Sequence, residues 1–400
     1  DSGNPAAGTN AAASSLSGTY VFGRHAGSQS NTTADGFWNF GQRQFAYTPP
    51  TNYVSLCTQN LPDPTIADGS TAFDASLYTG NGTSQTISGL NHSPDLVWTK
   101  ARSFSADHEL YDIVRGTGKR LFSSLTNSES TPTSNVNSFN SDGFGVTGGG
   151  GVNNNNATYV GWTWDAGSST VSNTDGSVTS NVRASQTNGC SVVTWTGSSA
   201  GQTVGHGLGA SPELIIVKAR DQSQPWAVYH SALGRGGVLQ LHSDAANITT
   251  YSEYWGTAEP SSTVFGTYTG AYPWANNYGN MVAYCFAPIE GFSAFGSYAG
   301  NSSSDGPHVV TGFRPKFLIV KVYDQADHWV MWDSVRGSTN VNNLPLYPNL
   351  SNSESANISR QVDLLSNGFK LRATDNSING SHNYIYIAFA EHPLKTARAR

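Results

Sequence analysis

The sequence has few charged residues. Asp, Glu, Lys and Arg make up 12% of its 400 residues, about half the share typical of globular proteins. The net charge is −6 and there is no basic run, which argues against nucleic-acid binding because phosphate contacts need clustered Lys and Arg. No stretch approaches the roughly 20 apolar residues of a membrane span, so we predict no membrane insertion.

Cysteine is also scarce. The three cysteines, Cys57, Cys190 and Cys285, are odd in number and far apart, and the last two lie in or beside apolar runs. This pattern predicts buried free thiols, not disulfide bridges. The Cys and His spacings of zinc sites are missing from the sequence, and we predict neither a metal nor another cofactor.

Polar uncharged residues and aromatics take the place of charge. Ser, Thr, Asn and 43 glycines keep the surface hydrated, while 10 Trp, 18 Tyr and 17 Phe can fill hydrophobic cores. Disordered chains are poor in aromatics, so the sequence predicts a folded protein. The first 18 residues are small and polar and do not start with Met, from which we expect a processed or truncated chain.

Three copies of one pattern run through the chain. SPDLVWTKAR at residues 93–102 returns as SPELIIVKAR at 211–220 and as RPKFLIVKVY at 314–323. The prolines of these motifs are 118 and 103 residues apart, and the downstream motifs LYDIVRG, VYHSALG and MWDSVRG keep the same spacing. Markers in one order at one spacing indicate divergent copies of a single module.

Every marker of the repeat is typical of a strand or a turn. The runs LVW, LIIV and FLIV lie between a proline and a lysine, as in a strand covered on both faces. Gly-Asn-Gly and Asn-Gly pairs supply the positive φ of tight hairpins. The sequence therefore predicts an all-β protein with three tandem β-sandwich or jelly-roll-like modules. We expect Leu96, Leu214 and Phe317 at one equivalent buried position.

The repeat also sets the domain boundaries. The modules are predicted at residues 72–167, 190–292 and 293–393, and the Ser/Thr/Asn-rich stretch 168–189 is interpreted as a linker. The second and third modules join without a linker, so we expect them to share an interface. Residues 1–62 are predicted to be a short N-terminal β segment from the end of a different domain.

The repeated motifs carry a resemblance to a known kind of protein. YTGNGTSQTISGL, SPDLVWTKAR, YDIVRG, NSDGF, YVGWTWDAGSSTVSNTDGS and FAEHP resemble a repeat domain of unassigned biochemistry in virion structural proteins. It is typical of tail-fibre-like proteins of phages that infect cyanobacteria and other aquatic bacteria. GFWNFGQRQFAYTPP and LCTQNLP, before the repeats, resemble the last strands of a SPRY domain in the same proteins. The resemblance implies a virion location and no catalytic residues.

The best-placed acids do not form a repeated active site. Asp112 and Asp333 occupy matching positions in YDIVRG and WDSVRG, but the middle copy has His230 there and lacks the arginine. We interpret the acids as structural partners of the arginines. GSSAG at residues 197–201 matches a nucleophile elbow, but it coincides with the repeat's turn and a polar segment follows it instead of a helix. We therefore predict no enzymatic activity.

Aromatic residues are concentrated in one loop-like stretch. Eight of them lie between Tyr251 and Tyr278. Four are set among Gly, Asn and Pro without strand alternation, and we predict that they form a binding surface: Tyr268, Tyr272, Trp274 and Tyr278. The alternative is that these rings pack against the neighbouring module.

These observations favour a non-enzymatic structural subunit of an extracellular fibre or virion appendage, of the phage tail-fibre or adhesin type, that contacts a host surface. We expect tandem modules to act as a rigid spacer, with copies of the chain as partners and a host-surface glycan as a further partner. One alternative is a carbohydrate-binding, lectin-like protein whose aromatics stack on sugars. Others are a self-polymerising filament subunit joined by strand edges and a glycan-degrading enzyme, which needs two acids in one cleft.

Overall fold

The computed structural model describes residues 63–198, 200–250, 253–267, 274–276 and 279–393. Strands account for 42% and helices for 3% of the structure, which confirms the all-β prediction. Every strand pairing between named strands is antiparallel, as expected for sandwich modules. The predicted SPRY-like remnant and Cys57 lie outside the described residues.

The first module has eight strands and one helical turn, α1 (Gly150–Asn153). Its large sheet has the order β1-β8-β3-β4-β5, and its small sheet has the order β2-β7-β6. The strands are β1 (Phe73–Thr79), β2 (Gln85–Ser88), β3 (Leu96–Ala101), β4 (Glu109–Asp112), β5 (Leu121–Phe122), β6 (Asn135–Asn140), β7 (Gly143–Thr147) and β8 (Thr158–Trp164).

The second module has the widest sheet, with the order β15-β14-β13-β17-β11-β10-β9, and a two-stranded sheet, β12-β16. The strands are β9 (Thr170–Asn173), β10 (Ser180–Ser185), β11 (Cys190–Gly197), β12 (Thr203–Gly205), β13 (Leu214–Ala219), β14 (Ala227–His230), β15 (Leu239–Gln240), β16 (Val264–Gly266) and β17 (Gly279–Phe286).

The third module has sheets of order β18-β24-β20-β21 and β19-β23-β22. Short 3-10 turns at Gly69–Thr71 and Ser231–Leu233 complete the regular structure of the described chain. The strands are β18 (Ser293–Ala299), β19 (His308–Val310), β20 (Phe313–Val322), β21 (Val330–Asp333), β22 (Val362–Leu365), β23 (Gly368–Leu371) and β24 (Asn383–Pro393).

Four strands of each large sheet follow one order: β1-β8-β3-β4, β11-β17-β13-β14 and β18-β24-β20-β21. Leu96, Leu214 and Phe317 occupy the same register in these sheets, opposite Asp112, His230 and Asp333 respectively. All three are buried, with exposures of 2%, 1% and 1%. Their predicted equivalence is confirmed.

The stretch predicted as a linker forms two strands of the second module. β10 pairs with β11 through six residues, and β9 pairs with β10. These pairings correct the linker prediction. Every residue of β9 is exposed or half-buried, so its side chains are polar or solvent-facing and give no apolar run by which sequence could identify a strand.

Strands β3 and β13 are buried on both faces, because each face packs against a different core. In β3, Val97 contacts the core beneath the module's own small sheet, whereas Leu96 and Trp98 join a cluster shared with the other modules. In β13, Ile215 lies in the module's own core and Leu214 in the shared cluster. Because successive side chains of a strand point to opposite faces, each of these strands contributes side chains to two cores.

The shared cluster places the three modules around one axis. Four side chains from each module surround a central cavity of about 20 Å³, a set that we call the axial core. A cavity of that size holds about one water molecule at most, and an apolar lining keeps it dry. The modules are therefore not a linear row. The axial core consists of Leu96, Trp98, Leu110, Trp164, Leu214, Ile216, Tyr284, Phe286, Phe317, Ile319, Ile387 and Phe389.

Two further expectations concern thiols and membranes. Cys190 and Cys285 are buried free cysteines, as predicted. Burial raises the pKa of Cys190 well above its usual value, which makes the thiol unreactive. Within the described ranges, no helix has the length and apolar character required to cross a bilayer.

Candidate functional site

The repeated acid position lies where neighbouring modules meet. We call the contact between modules 1 and 2 the first seam, that between modules 2 and 3 the second seam, and that between modules 3 and 1 the third seam. Asp112, His230 and Asp333 end the equivalent strands β4, β14 and β21 and are each fully buried. The structure thus brings each one to a seam and not to an open cleft.

In the first seam, Asp112 joins two modules through a buried network. Its Oδ2 atom accepts a hydrogen bond from the hydroxyl of Tyr284 at 2.9 Å, and it forms an ion pair with Nε of Arg115. Nη2 of Arg115 also donates to the Tyr284 hydroxyl at 3.2 Å. Burial alone would lower the pKa of Arg115, but Asp112, Tyr284 and Glu129 together outweigh burial and raise that pKa.

The third seam repeats this network with different chemistry. The indole Nε1 of Trp162 donates to Oδ2 of Asp333 at 3.1 Å, and Nε of Arg336 lies 2.5 Å from the same oxygen. Both charged side chains are completely buried. Trp162 holds the position in β8 that Tyr284 holds in β17. Each carboxylate thus accepts a hydrogen bond from the last strand of a neighbouring module, which we call its closing strand (β8, β17 or β24).

The second seam explains why the middle copy departs from the pattern. Ile387 of β24 stands opposite Ile319, as Tyr284 stands opposite Ile216, and an isoleucine has no proton to donate. His230 replaces the aspartate, and its Nε2 lies 3.1 Å from the main-chain oxygen of Tyr386. Leu233, which takes the place of the arginine, packs against the shared cluster. At these three positions, the second seam therefore lacks the acid, the arginine and the hydrogen-bond donor of the other two seams.

A second layer of contacts closes each seam. In the first seam, Glu129 accepts from Nε of Arg220 at 2.9 Å and from Nη1 of Arg115 at 3.1 Å. In the third seam, Glu354 accepts from Nη2 of Arg102 at 2.7 Å and from Nη1 of Arg336 at 3.0 Å. These two glutamates lie in the LTNSES and LSNSES motifs. The sequence showed their repetition but not their role.

The second seam makes the corresponding contact with main-chain atoms. The amide of Asn247 donates to the carbonyl of Tyr323 at 2.8 Å. In the first seam, the amide of Glu129 donates to the carbonyl of Arg220 at 2.6 Å. The loop of every module thus docks on the next one, and the third docks on the first, so the ring of contacts is closed.

The electrostatics of the seams follow from burial. Burial by itself would raise the pKa of Glu129, but the hydrogen bond from Arg220 and the charge of Arg115 hold it below its usual value. The repeated lysines are fully buried, and burial lowers the pKa of Lys100 to about 8, of Lys218 to about 7 and of Lys321 to about 8. Lys321 donates to the carbonyl of Asp244 across the second seam at 3.1 Å.

We expect His230 to make the second seam sensitive to acid. Burial lowers its pKa to about 4, below the value of about 6.5 in an unfolded chain. Between these values the unfolded chain binds a proton that the folded chain does not, so stability present above pH 6.5 is lost as the pH falls toward 4. The full loss from this residue is about 3 kcal/mol.

Denaturant unfolding at pH 7 and at pH 4.5, for the parent chain and His230→Gln, measures this effect. Glutamine keeps an N–H donor for the Tyr386 carbonyl but does not titrate, and the other titrating groups are common to both chains. The parent is expected to lose more stability than the variant. Equal losses would show that His230 does not carry the pH dependence.

Of the four predicted binding residues, the structure describes Trp274. Its ring lies 6.3 Å from that of Tyr254, in a tilted arrangement, and it is half-buried against the second module's own core. Trp274 therefore contacts its own module, and its role in a binding surface stays a prediction. Tyr268, Tyr272 and Tyr278 lie outside the described residues.

The second module carries a surface groove of about 390 Å³. Strands β12 and β16 contribute Thr203 and Val264 to its lining, and the segment from Glu253 to Glu259 forms the opposite side. Glu259 is held in place by the Tyr229 hydroxyl at 2.9 Å and the Arg235 amide at 3.0 Å. No sequence pattern marks this groove, because its residues are mostly small or polar and are spread along the chain.

Other motifs have structural roles. The amide of Asp175 donates to Oδ1 of Asn173 at 3.0 Å, so NTDGS forms an Asx-turn. Ser199 of GSSAG lies outside the described residues, and the motif starts at the last residue of β11 and precedes β12. Within the described part of the chain, no three His, Cys, Asp or Glu side chains are grouped as metal ligands.

The fold and its seams define an all-β repeat protein in which three sandwich modules close around a common axial core. A family described as "Domain of unknown function (DUF7483)" matches residues 68–393. The chain therefore belongs to this family, and the match spans all three modules as one unit. No curated protein and no solved structure matches the chain.

Proposed function

We propose that the chain is a non-enzymatic structural subunit of an extracellular fibre or virion appendage, of the phage tail-fibre or adhesin type, that contacts a host surface. The observation that carries the proposal is the closed ring of seams. Three modules share one core and three equivalent contacts, which makes a rigid body suited to transmitting load and presenting loops.

The placement of the acids supports a structural role. The repeat makes Asp112 and Asp333 the most prominent carboxylates, and each is fully buried beside an arginine. A general acid or nucleophile must reach the substrate atom that it attacks or protonates. These carboxylates instead accept hydrogen bonds from the neighbouring module. The proposed location is the virion or another extracellular assembly.

The carbohydrate-binding alternative is favoured by a separate observation, the groove of the second module. It is compatible with a structural subunit, because an adhesin needs a ligand site on a rigid support. The filament alternative requires another contact surface, since the repeated seams are already used within one chain. Strand β9 offers such an edge, with Val171 exposed at 55% and one neighbouring strand in the described sheet.

Electron microscopy of the native assembly, with a tag or antibody that marks this chain, tests the proposal. We expect the label on a fibre or appendage at the particle surface, with several copies per particle. A reducing-end assay with bacterial polysaccharides and peptidoglycan is expected to show no turnover. A free monomer in the native material, or turnover that Asp112→Asn abolishes, would contradict the structural assignment.

A further inference from the structure

The groove lies where the second module differs from the other two. In modules 1 and 3 the small sheet has three strands, because β6 pairs with β7 and β22 pairs with β23. In module 2, the described residues show only β12 and β16 in this sheet. The segment from Glu253 to Glu259 lies opposite this sheet, and the groove lies between the two.

The groove has the size and shape of a small-molecule site. Its volume of about 390 Å³ falls within the roughly 300–1,000 Å³ of ligand pockets. Gly256 and Gly266 approach so closely that a Cβ atom added to Gly266 would lie 2.9 Å from Cα of Gly256. The lining is therefore backbone-rich on this side, and side chains larger than hydrogen do not fit at the contact.

The lining offers hydroxyl, amide and carboxylate groups. Hydroxyls come from Thr203, Thr257 and Thr267. The carboxylate of Glu253, whose side chain is 50% exposed, makes an ion pair of 3.3 Å with Arg235. Oε1 of Gln202 is buried and accepts no hydrogen bond from any described residue. A buried acceptor without a donor is unfavourable, and Gln202 lines the groove, so rotation of its carboxamide toward the groove would let a ligand hydroxyl supply the missing donor.

We propose that this groove binds a neutral or N-acetylated sugar residue, an inference that rests on the proposed adhesin function and gives it a ligand class. A sugar ring presents several hydroxyls that both donate and accept, which matches a lining of mixed polar groups. The lining contains no basic side chain, which disfavours phosphate and sulfate. Its largest apolar groups are Val264 and Ala258, too small a surface for a lipid chain.

The charge of the groove predicts selectivity among sugars. Glu253 and Glu259 both line it, and Arg235 pairs with Glu253 at 3.3 Å. Two carboxylates and one guanidinium leave net negative charge, which an acidic sugar would meet with its own carboxylate. Like charges at short range repel. The groove therefore prefers a neutral hexose to the corresponding uronic acid.

Saturation-transfer NMR of the full chain with three probes tests this inference: methyl glucoside, methyl N-acetylglucosaminide and methyl glucuronide. We expect transfer to at least one of the two neutral glycosides and at least tenfold weaker binding of the glucuronide, a difference of about 1.4 kcal/mol or more. An array of neutral bacterial oligosaccharides then ranks longer ligands. Binding of the glucuronide as strong as that of the neutral sugars would overturn the assignment.

Matched variants locate the site. Thr203→Trp fills the groove, and Thr86→Trp places the same ring at the corresponding exposed position of β2 in the first module. Gln202→Leu removes the unpaired acceptor. We expect Thr203→Trp to abolish sugar binding, Gln202→Leu to weaken it about tenfold, and Thr86→Trp to leave it unchanged. Binding that survives Thr203→Trp in a folded protein would exclude the groove.

The outcomes separate this inference from the proposed function. A chain that lies on a fibre by electron microscopy but binds none of the probes retains the structural role and loses the sugar site. A chain that binds neutral sugars through the groove but is found as a free monomer keeps the sugar site and loses the structural role. Circular dichroism and melting of each variant verify that loss of binding is not loss of folding.

Discussion

Replacing Arg336 by leucine is expected to lower the free energy of unfolding by about 3–5 kcal/mol, the cost of leaving one member of a buried ion pair without its partner. Arg336 and Asp333 are both completely buried, with 2.5 Å between Nε and Oδ2. The same guanidinium binds Glu354 at 3.0 Å. Its removal therefore leaves a charge at the third seam that no water reaches. Denaturant unfolding at pH 7 measures the loss.

The second seam supplies the design of the control. His230 and Leu233 hold the positions of Asp333 and Arg336 there. The double variant Asp333→His with Arg336→Leu copies that natural solution and leaves no buried charge without a partner. We expect it to be more stable than Arg336→Leu alone by about 2 kcal/mol or more, even though Trp162 loses its acceptor.

A double-mutant cycle with Asp333→His alone completes the test. Neighbouring residues of one network show interaction energies of about 0.5–3 kcal/mol, and we expect a value at the upper end. Additive effects of the two substitutions would show that the pair does not act as a unit. If Arg336→Leu lowers the free energy of unfolding by less than about 1 kcal/mol, the ion pair contributes no more than a solvent-exposed pair does. That result would contradict the role that we assign to its burial.

Much of the fold could be predicted because the repeated motifs mark equivalent strands in the three modules. Apolar runs bounded by proline and lysine located β3, β13 and β20, and the register of Leu96, Leu214 and Phe317 followed from their shared offset. The strands β9 and β10 were missed. Every residue of β9 and four of the six residues of β10 are exposed or half-buried, so neither strand carries an apolar run that distinguishes it from a linker in sequence.

Closure of the ring could not be predicted, because no local pattern records which module a strand face will contact. A strand buried on both faces is compatible with a stack, a row or a ring. The usable signal was a correlation among distant positions. Where a closing strand carries Trp162 or Tyr284, the partner seam carries an aspartate, and where it carries Ile387 the partner is His230. The structure was needed to reveal which positions are partners.

The candidate site was even harder to predict from the sequence than the closure of the ring. Aromatic density predicted a binding surface around Trp274, whose ring packs on Tyr254. The groove is lined mainly by Gly, Thr, Gln and Glu residues from four separate segments. Such residues are common throughout this chain, so composition cannot distinguish those that face a cavity. The distinguishing feature is the small sheet of module 2, which has two strands among the described residues where the other modules have three.

Replacing Phe317 by alanine is expected to destabilise all three modules together, by about 3–5 kcal/mol. Phe317 belongs to the third module and is 1% exposed. Its ring lies 5.7 Å from those of Trp162 and Trp164 in the first module and 6.2 Å from that of Phe389 in its own. The axial core also includes Phe286 of the second module, so a void at Phe317 removes contacts that the modules share.

Hydrogen exchange measured by mass spectrometry distinguishes shared from local loss, with Phe144→Ala as the matched control. Phe144 is equally buried but lies in the first module's own core. We expect Phe317→Ala to accelerate exchange in β8, β17 and β24, the closing strands of all three modules. Phe144→Ala should act mainly on β2, β6 and β7. Because the three large sheets bury one face against each other, no module can lose its axial face alone. Faster exchange confined to the third module in Phe317→Ala would show three independent domains.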